Sequence, residues 1–298
     1  MVKIPKSIKL PWPSAPRMDA HDGVIVAAGD LGAVVRINAA TWKAELWSSA
    51  LGFVTAVAIS PDGTRVALGI AASDGGAIEV REVETGAVLQ TFPVSGSAAS
   101  AGGNGNPNRL RWSPNGTQLV AVISISASGL DEEHIALIDL TTLQVNRFFL
   151  GAAVSIVVDF IEDSRLLVYV DRIDLAVLQL DTASGTNTLL ATPSCSRPRS
   201  LSRVGADRFL LVSANEKWRL VDAQGATVSE GQACDAATAC SGDVVASVYG
   251  TKVTITDLST GATTNLKAKK RVDGMAFGLG RLLLGEADQL EVVELPMG

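Results

Sequence analysis

Arginine and lysine cluster at one recurrent place in this chain, the residues leading into a short apolar run. Arg109 and Arg111 precede Leu119–Ile123, Arg197 and Arg199 precede Phe209–Ser213, and Lys267, Lys269, Lys270 and Arg271 precede Leu282–Glu286. Guanidinium groups can clamp a carboxylate or phosphate bidentately, and ammonium groups add point charge. With the apolar runs aligned, Arg109 and Arg199 take the same position, that of Ala56. Arg111 lies two residues on, on the same side of an extended strand. Acidic residues follow the runs as Asp131-Glu132-Glu133, Asp171, Asp174 and Glu286. Two readings stand side by side: a site for an anion or acidic peptide, or arginines paired internally with these carboxylates.

Other chemistries find little support. Gly102-Gly-Asn-Gly105 follows a strand, but no Gly-Lys-Ser/Thr completes a phosphate loop. No His-Glu-x-x-His, Cys-x-x-Cys or Gly-x-Ser-x-Gly occurs, so no catalytic residue, cofactor site or metal site is assigned. The 2 histidines are His21 and His134, the latter placed in a solvated loop end opening a strand. Cys195, Cys234 and Cys240 lack a metal-ligand spacing and read as buried thiols. Asn115-Gly-Thr117 matches a glycosylation acceptor but reads as a tight turn. The 5 tryptophans are dispersed, which suits packing better than a base-stacking platform.

Composition narrows the class further. The chain has 298 residues, 47% hydrophobic and only 5% aromatic, so its apolar content is chiefly Ala, Val, Leu and Ile. Such a chain buries a sizeable core and is not disordered. A net charge of -6 argues against nucleic-acid binding, which needs a basic footprint. Apolar runs such as Gln118–Ser124 fall far short of the ~20 residues of a membrane helix, so no membrane partner is expected. The segment Met1–Trp12 lacks a signal-type apolar core, which sets the expectation of a cytoplasmic protein with reduced thiols.

Two landmarks recur in step. The first is the run of Val, Leu and Ile: Val24–Ala28, Val66–Ile70, Leu119–Ile123, Leu166–Val170, Phe209–Ser213, Val244–Val248 and Leu282–Glu286. The second is a polar residue closing a strand before a Thr/Ser/Gly turn: Asn38, Glu82, Asp139, Asp181, Asp222, Asp257 and Glu294. Both give units of about 43 residues, within the ~40–45 of a four-stranded propeller blade. In the second unit the strands are Phe53–Ser60, Thr64–Ala71, Ala77–Val83 and Ala87–Phe92, with Pro61-Asp-Gly63 suited to a type I turn. The last unit has Arg271–Phe277, Gly280–Glu286 and Gln289–Leu295 but no fourth strand. Val2–Leu10 is left over at the other end and supplies it. The expectation is all-β: one domain over residues 1–298, a seven-bladed propeller of four antiparallel strands per blade, closed by the N-terminal strand.

Here the chain resembles the WD40-like and YVTN-type propellers. The matching text is Val54-Thr-Ala-Val-Ala-Ile-Ser-Pro-Asp-Gly-Thr-Arg-Val-Ala67 with Ile78-Glu-Val-Arg-Glu-Val-Glu-Thr-Gly86, and a fainter copy in Leu110–Gly116 with Ile138–Thr142. It departs from WD40 in lacking the Gly-His and Trp-Asp pairs, so that family's buried hydrogen-bond network cannot form and apolar packing must hold the blades. The resemblance implies a binding platform and names no partner.

Strand parity puts connections from a fourth strand to the next blade, and those between second and third strands, on one face. The long ones, Pro93–Asn108, Ser126–Glu133 and Thr192–Ser196, all fall there. Arg109, Arg111, Arg197, Arg199, Lys269, Lys270 and Arg271 belong to the same face. The leading expectation is therefore a monomeric, non-catalytic scaffold docking another protein or an acidic peptide segment. The alternative is a small-molecule or metal-dependent enzyme at the central channel, as in propeller lactonases.

Overall fold

The computed structural model describes residues 7–11, 17–21, 23–29, 32–47, 52–72, 75–94, 104–127, 130–150, 153, 155–171, 176–191, 198–204, 207–213, 217–232, 237–241, 243–272, 274–278, 281–286 and 289–294. Among these the regular structure is entirely strand. The chain opens on β1 (Ser7–Lys9). The first blade is β2 (Arg17–His21), β3 (Val24–Ala28), β4 (Val34–Asn38) and β5 (Lys43–Trp47); the second is β6 (Phe53–Ile59), β7 (Arg65–Ala71), β8 (Ala77–Glu82) and β9 (Val88–Pro93). The third is β10 (Asn104–Trp112), β11 (Gln118–Ala127), β12 (Leu130–Asp139) and β13 (Gln144–Phe148). The fourth is β14 (Ser155–Glu162), β15 (Arg165–Asp171), β16 (Ala176–Asp181) and β17 (Asn187–Ala191). The fifth is β18 (Pro198–Val204), β19 (Arg208–Ser213), β20 (Lys217–Asp222) and β21 (Thr227–Gln232). The sixth is β22 (Ala237–Ser241), β23 (Val244–Tyr249), β24 (Lys252–Asp257) and β25 (Thr263–Lys267). The last sheet orders β26 (Gly274–Gly278), β27 (Arg281–Glu286) and β28 (Gln289–Glu294), with β1 outermost. Ile8 of β1 sits opposite Leu290 of β28, the pairing expected from the leftover N-terminal segment.

Seven four-stranded antiparallel sheets thus replace one continuous sheet, and burial follows strand rank. The second strands are covered on both faces: Val66, Ala67, Leu68 and Ile70 are buried, as are Leu166 through Val170. Such strands read as continuous apolar runs. The fourth strands are exposed along most of their length, as in β5 and β9.

The chain forms two compact units. One is Met1–Ala72, Glu79–Thr91 and Cys234–Gly298; the other is Ser73–Ile78 and Phe92–Ala233. In the first, Ile25, Val35 and Ile37 pack with Ile8, Leu10 and Leu290, while Val34 and Trp47 pack with Val66 and Leu68. In the second, Val120 and Val122 pack against Ile156, Val158 and Phe160, and Val157 and Tyr169 against Leu201 and Phe209.

The polar landmark is a turn-former. The Asp139 carboxylate accepts the N–H groups of Thr141 and Thr142, Asp181 those of Ala183 and Ser184, and Asp257 those of Ser259 and Thr260. Four residues after the landmark the backbone is left-handed at Gly86, Gly185 and Gly261, and also at Trp42 (φ 59°) and Leu143 (φ 58°). The Trp42 N–H donates to the Asn38 carbonyl at 2.6 Å, and the Asp139 side chain closes the turn before Leu143, so two bulky residues stand where glycine is the easier choice.

These bonds lower the carboxyl pKa. In Asp139 and Asp257 the first cause is the side-chain bond to Thr141 or Ser259, and in Asp181 the backbone bond from Ser184. A carboxyl depressed in the folded state adds stability that is present above its unfolded pKa and lost as pH falls through the folded value. Stability should therefore drop as pH is taken below the ordinary 3.8. In acid denaturation the triple replacement Asp139→Asn, Asp181→Asn, Asp257→Asn should flatten that drop.

Two long connections differ from expectation. Ser126–Glu133 is not a loop: β11 and β12 continue through it in unbroken register to Ala127 opposite Leu130. Asn104–Asn108, expected inside an insertion, belongs to β10 and pairs with Ser126 through Ile123. Asn, Gly and Ser are poor strand formers, so both stretches look like loops in isolation; a three-strand ladder overrides that preference. Residues 95–103 of the insertion and the connection 192–197 lie outside the described residues, as do the side chains of the three cysteines. His134 lies inside β12 and its ring meets that of Phe149 at 5.0 Å.

Candidate functional site

In the second unit the inner strands β10, β14 and β18 bring several of the sequence-nominated cations together. Glu133, on β12, is the centre of one group. Its Oε1 accepts from Asn108 Nδ2 at 2.7 Å, Ser124 Oγ at 3.1 Å and Arg109 Nη1 at 3.2 Å. Its Oε2 accepts from Arg109 Nη1 at 3.4 Å and from the Ile156 N–H of the next blade. Arg109 Nε reaches the Arg199 carbonyl at 3.4 Å.

Asp159, on β14, is the centre of the other. Its Oδ1 accepts the Phe160 N–H and its Oδ2 the Arg203 N–H, each at 2.8 Å. Arg111 Nε stands 3.5 Å from Oδ2, and its Nη2 donates to the Leu201 carbonyl at 2.9 Å and Ser202 Oγ at 3.1 Å. Arg111 thus starts in the third blade, pairs with the fourth and ends on the fifth. Burial is the first influence on the Asp159 carboxyl and pushes its pKa up, against Arg111 and the two backbone N–H groups.

One device is common to these contacts. The Ile59, Ile156 and Arg203 N–H groups donate to a carboxylate of the preceding blade: Asp19 at 2.8 Å, Glu133, and Asp159 at 2.8 Å. An innermost strand has a ladder partner on one side only, and its outward amides need acceptors. The carboxylates supply them, and arginine supplies donors for the carbonyls. On another turn Asp163 accepts the Asn115 N–H at 2.9 Å. Apolar packing is therefore not alone in joining the blades, a correction to the expectation drawn from the missing WD40 pairs. Asp19 and Asp159 escaped the sequence reading; their signal was a lone carboxylate inside a strand, Ile156-Val-Val-Asp-Phe160 above all.

The nominated residues sort as follows. Arg109 and Arg111 are half-buried and ion-paired, with side chains 26% and 33% exposed. Arg199 is exposed on β18, but not at the position of Arg109. A bulge in each inner strand sets Ser200 opposite Val212 as Arg109 is opposite Val122 and Ala56 opposite Gly69, which makes Arg199 the counterpart of Asn108. Arg197 lies outside the described residues. Lys269, Lys270 and Arg271 belong to the first unit, in the connection from β25 to β26. Lys269 Nζ pairs with Glu291 at 3.2 Å, and the Lys270 N–H donates to the buried Glu286 carboxylate at 3.0 Å. Among the described residues no three His, Cys, Asp or Glu side chains converge as a metal site would require.

Seven antiparallel four-stranded sheets define a seven-bladed β-propeller, and the WD40-like resemblance read from Val54–Gly86 holds for the architecture. The chain is similar to the crystal structure of the β-propeller domain of Myceliophteria thermophila Cps50 (Swd1), with a TM-score of 0.75 over 97% of this chain and 98% of that one. At 13% identity the likeness is one of fold. No family model matches the chain, and no curated protein matches it.

Proposed function

We propose that the protein is a non-catalytic interaction module that docks an acidic segment of a protein partner where connections enter its innermost strands. One observation carries this reading. Arg109, Arg111, Arg199 and Arg203 come together in the second unit around the carboxylates of Glu133 and Asp159, a cluster of four arginines in a protein whose net charge is negative. Exposed Arg199 leads this set toward solvent, and in the first unit Lys269 and Arg271 are exposed in the same kind of connection. A cytoplasmic setting and a monomeric state belong to the same reading. Charges of this type steer association and set its salt dependence.

A labelled peptide of twelve glutamates, followed by fluorescence anisotropy at low ionic strength, tests the reading. Arg199→Glu should weaken binding by about tenfold or more, on the scale of ~1.4 kcal/mol per decade. Undiminished binding by that variant would overturn the assignment.

A further inference from the structure

Resting on that reading, we infer that Glu133 is an internal competitor that withholds Arg109 from the partner, so that a partner carboxylate gains Arg109 only where Glu133 gives it up. Both ends of the contact allow the exchange. Glu133 keeps Asn108, Ser124 and the Ile156 N–H as donors when Arg109 leaves, so its buried carboxylate is not stranded. Arg109 is held less firmly. Its Nη1 contacts are 3.2 and 3.4 Å to Glu133 and 3.2 Å to Asn108 Oδ1, and its Nε contact to the Arg199 carbonyl is 3.4 Å, all long for hydrogen bonds from a guanidinium. Among the described residues its Nη2 donates to no partner, and its side chain is 26% exposed. The Nε contact places it beside Arg199, whose side chain is exposed. A carboxylate arriving at Arg199 meets a second guanidinium whose present partner can release it. Arg111 differs: it bridges Asp159 to the Leu201 carbonyl and Ser202, and its release would undo a joint between blades.

The same glutamate peptide separates this inference from the reading beneath it. Glu133→Gln should bind about tenfold more tightly than the unaltered protein. Arg109→Ala should change binding by less than about twofold alone, yet abolish the gain in the Glu133→Gln background. If Glu133→Gln binds as the unaltered protein does while Arg199→Glu still weakens binding, the competitor is overturned and the interaction reading stands. If Arg199→Glu makes no difference, the interaction reading falls and the competitor with it. Should Glu133→Gln fail to fold, Glu133→Asp, whose shorter carboxylate draws back from Arg109, takes its place with the same two outcomes; a loss above about fivefold in Arg109→Ala shows Arg109 already committed to the peptide and overturns the inference.

Discussion

Asp159→Ala is expected to lower the unfolding free energy by about 2–4 kcal/mol, read from urea unfolding at neutral pH. Asp159 is 6% exposed and its carboxylate serves three donors at once: Phe160 N–H, Arg203 N–H and Arg111. Alanine leaves two strand amides without that acceptor and a guanidinium without its counter-charge, at a joint between the fourth and fifth blades. Asp159→Asn keeps one acceptor and should cost about half as much. Its pH behaviour adds a second readout. Because burial raises this carboxyl above 3.8, the folded state holds the proton more tightly than the unfolded one. Its contribution is full below the unfolded value and is lost as pH rises through the folded one, opposite in sign to the turn aspartates. Asp159→Asn should remove that component and leave the acid-side loss from Asp139, Asp181 and Asp257 in place.

The second large effect is at Gly76. A Cβ there would stand 2.1 Å from the Gly105 carbonyl oxygen, 2.8 Å from Pro107 Cδ and 2.9 Å from Val94 Cγ2. The nearest of these is backbone and cannot swing away. It belongs to β10, whose register with β11 is fixed along the same stretch. On the other side, the Gly76 carbonyl accepts the Val94 N–H at 2.9 Å, so the glycine's own segment is tied as well. Gly76→Ala should therefore cost about 2–3 kcal/mol, at the upper end of ordinary overpacking, measured by the same unfolding titration. A cost below about 0.5 kcal/mol would mean that the Asn104–Pro107 end of β10 yields freely.

Architecture was legible because two periodic signals were independent: apolar runs mark second strands, and Asn or Asp marks the turn after third strands. The turn chemistry of Ser60-Pro-Asp-Gly63 could be read residue by residue, and the structure adds the Asp62 Oδ1 bond from the Thr64 N–H at 3.1 Å. The β10–β12 extension was not legible, because Asn104, Ser126 and Gly105 carry loop propensities and only their pairing partners make them strand. Hairpin length was equally hidden: Arg203 pairs with Phe209 where Trp112 pairs with Leu119 and Ile59 with Val66, one residue less between partners, and this sets Arg199 one place away from the position that Arg109 shares with Ala56. At the candidate site the residue types were visible and the partners were not. Arg109 and Arg111 were nominated with internal pairing as one of two readings, and Glu133 was among the acids offered. Asp159 stands out only as a lone carboxylate in an apolar stretch, and nothing in one blade's sequence shows that an amide of the next blade lacks an acceptor.

The central structural claim is that carboxylates of one blade cap the outward amides of the next blade's innermost strand. Amide hydrogen exchange at Ile59, Ile156 and Arg203 tests it most directly. Slow exchange is expected at all three, with protection of Arg203 falling selectively in Asp159→Ala. Exchange at the rate of an unprotected peptide at these positions, or protection of Arg203 that survives Asp159→Ala unchanged, would contradict it.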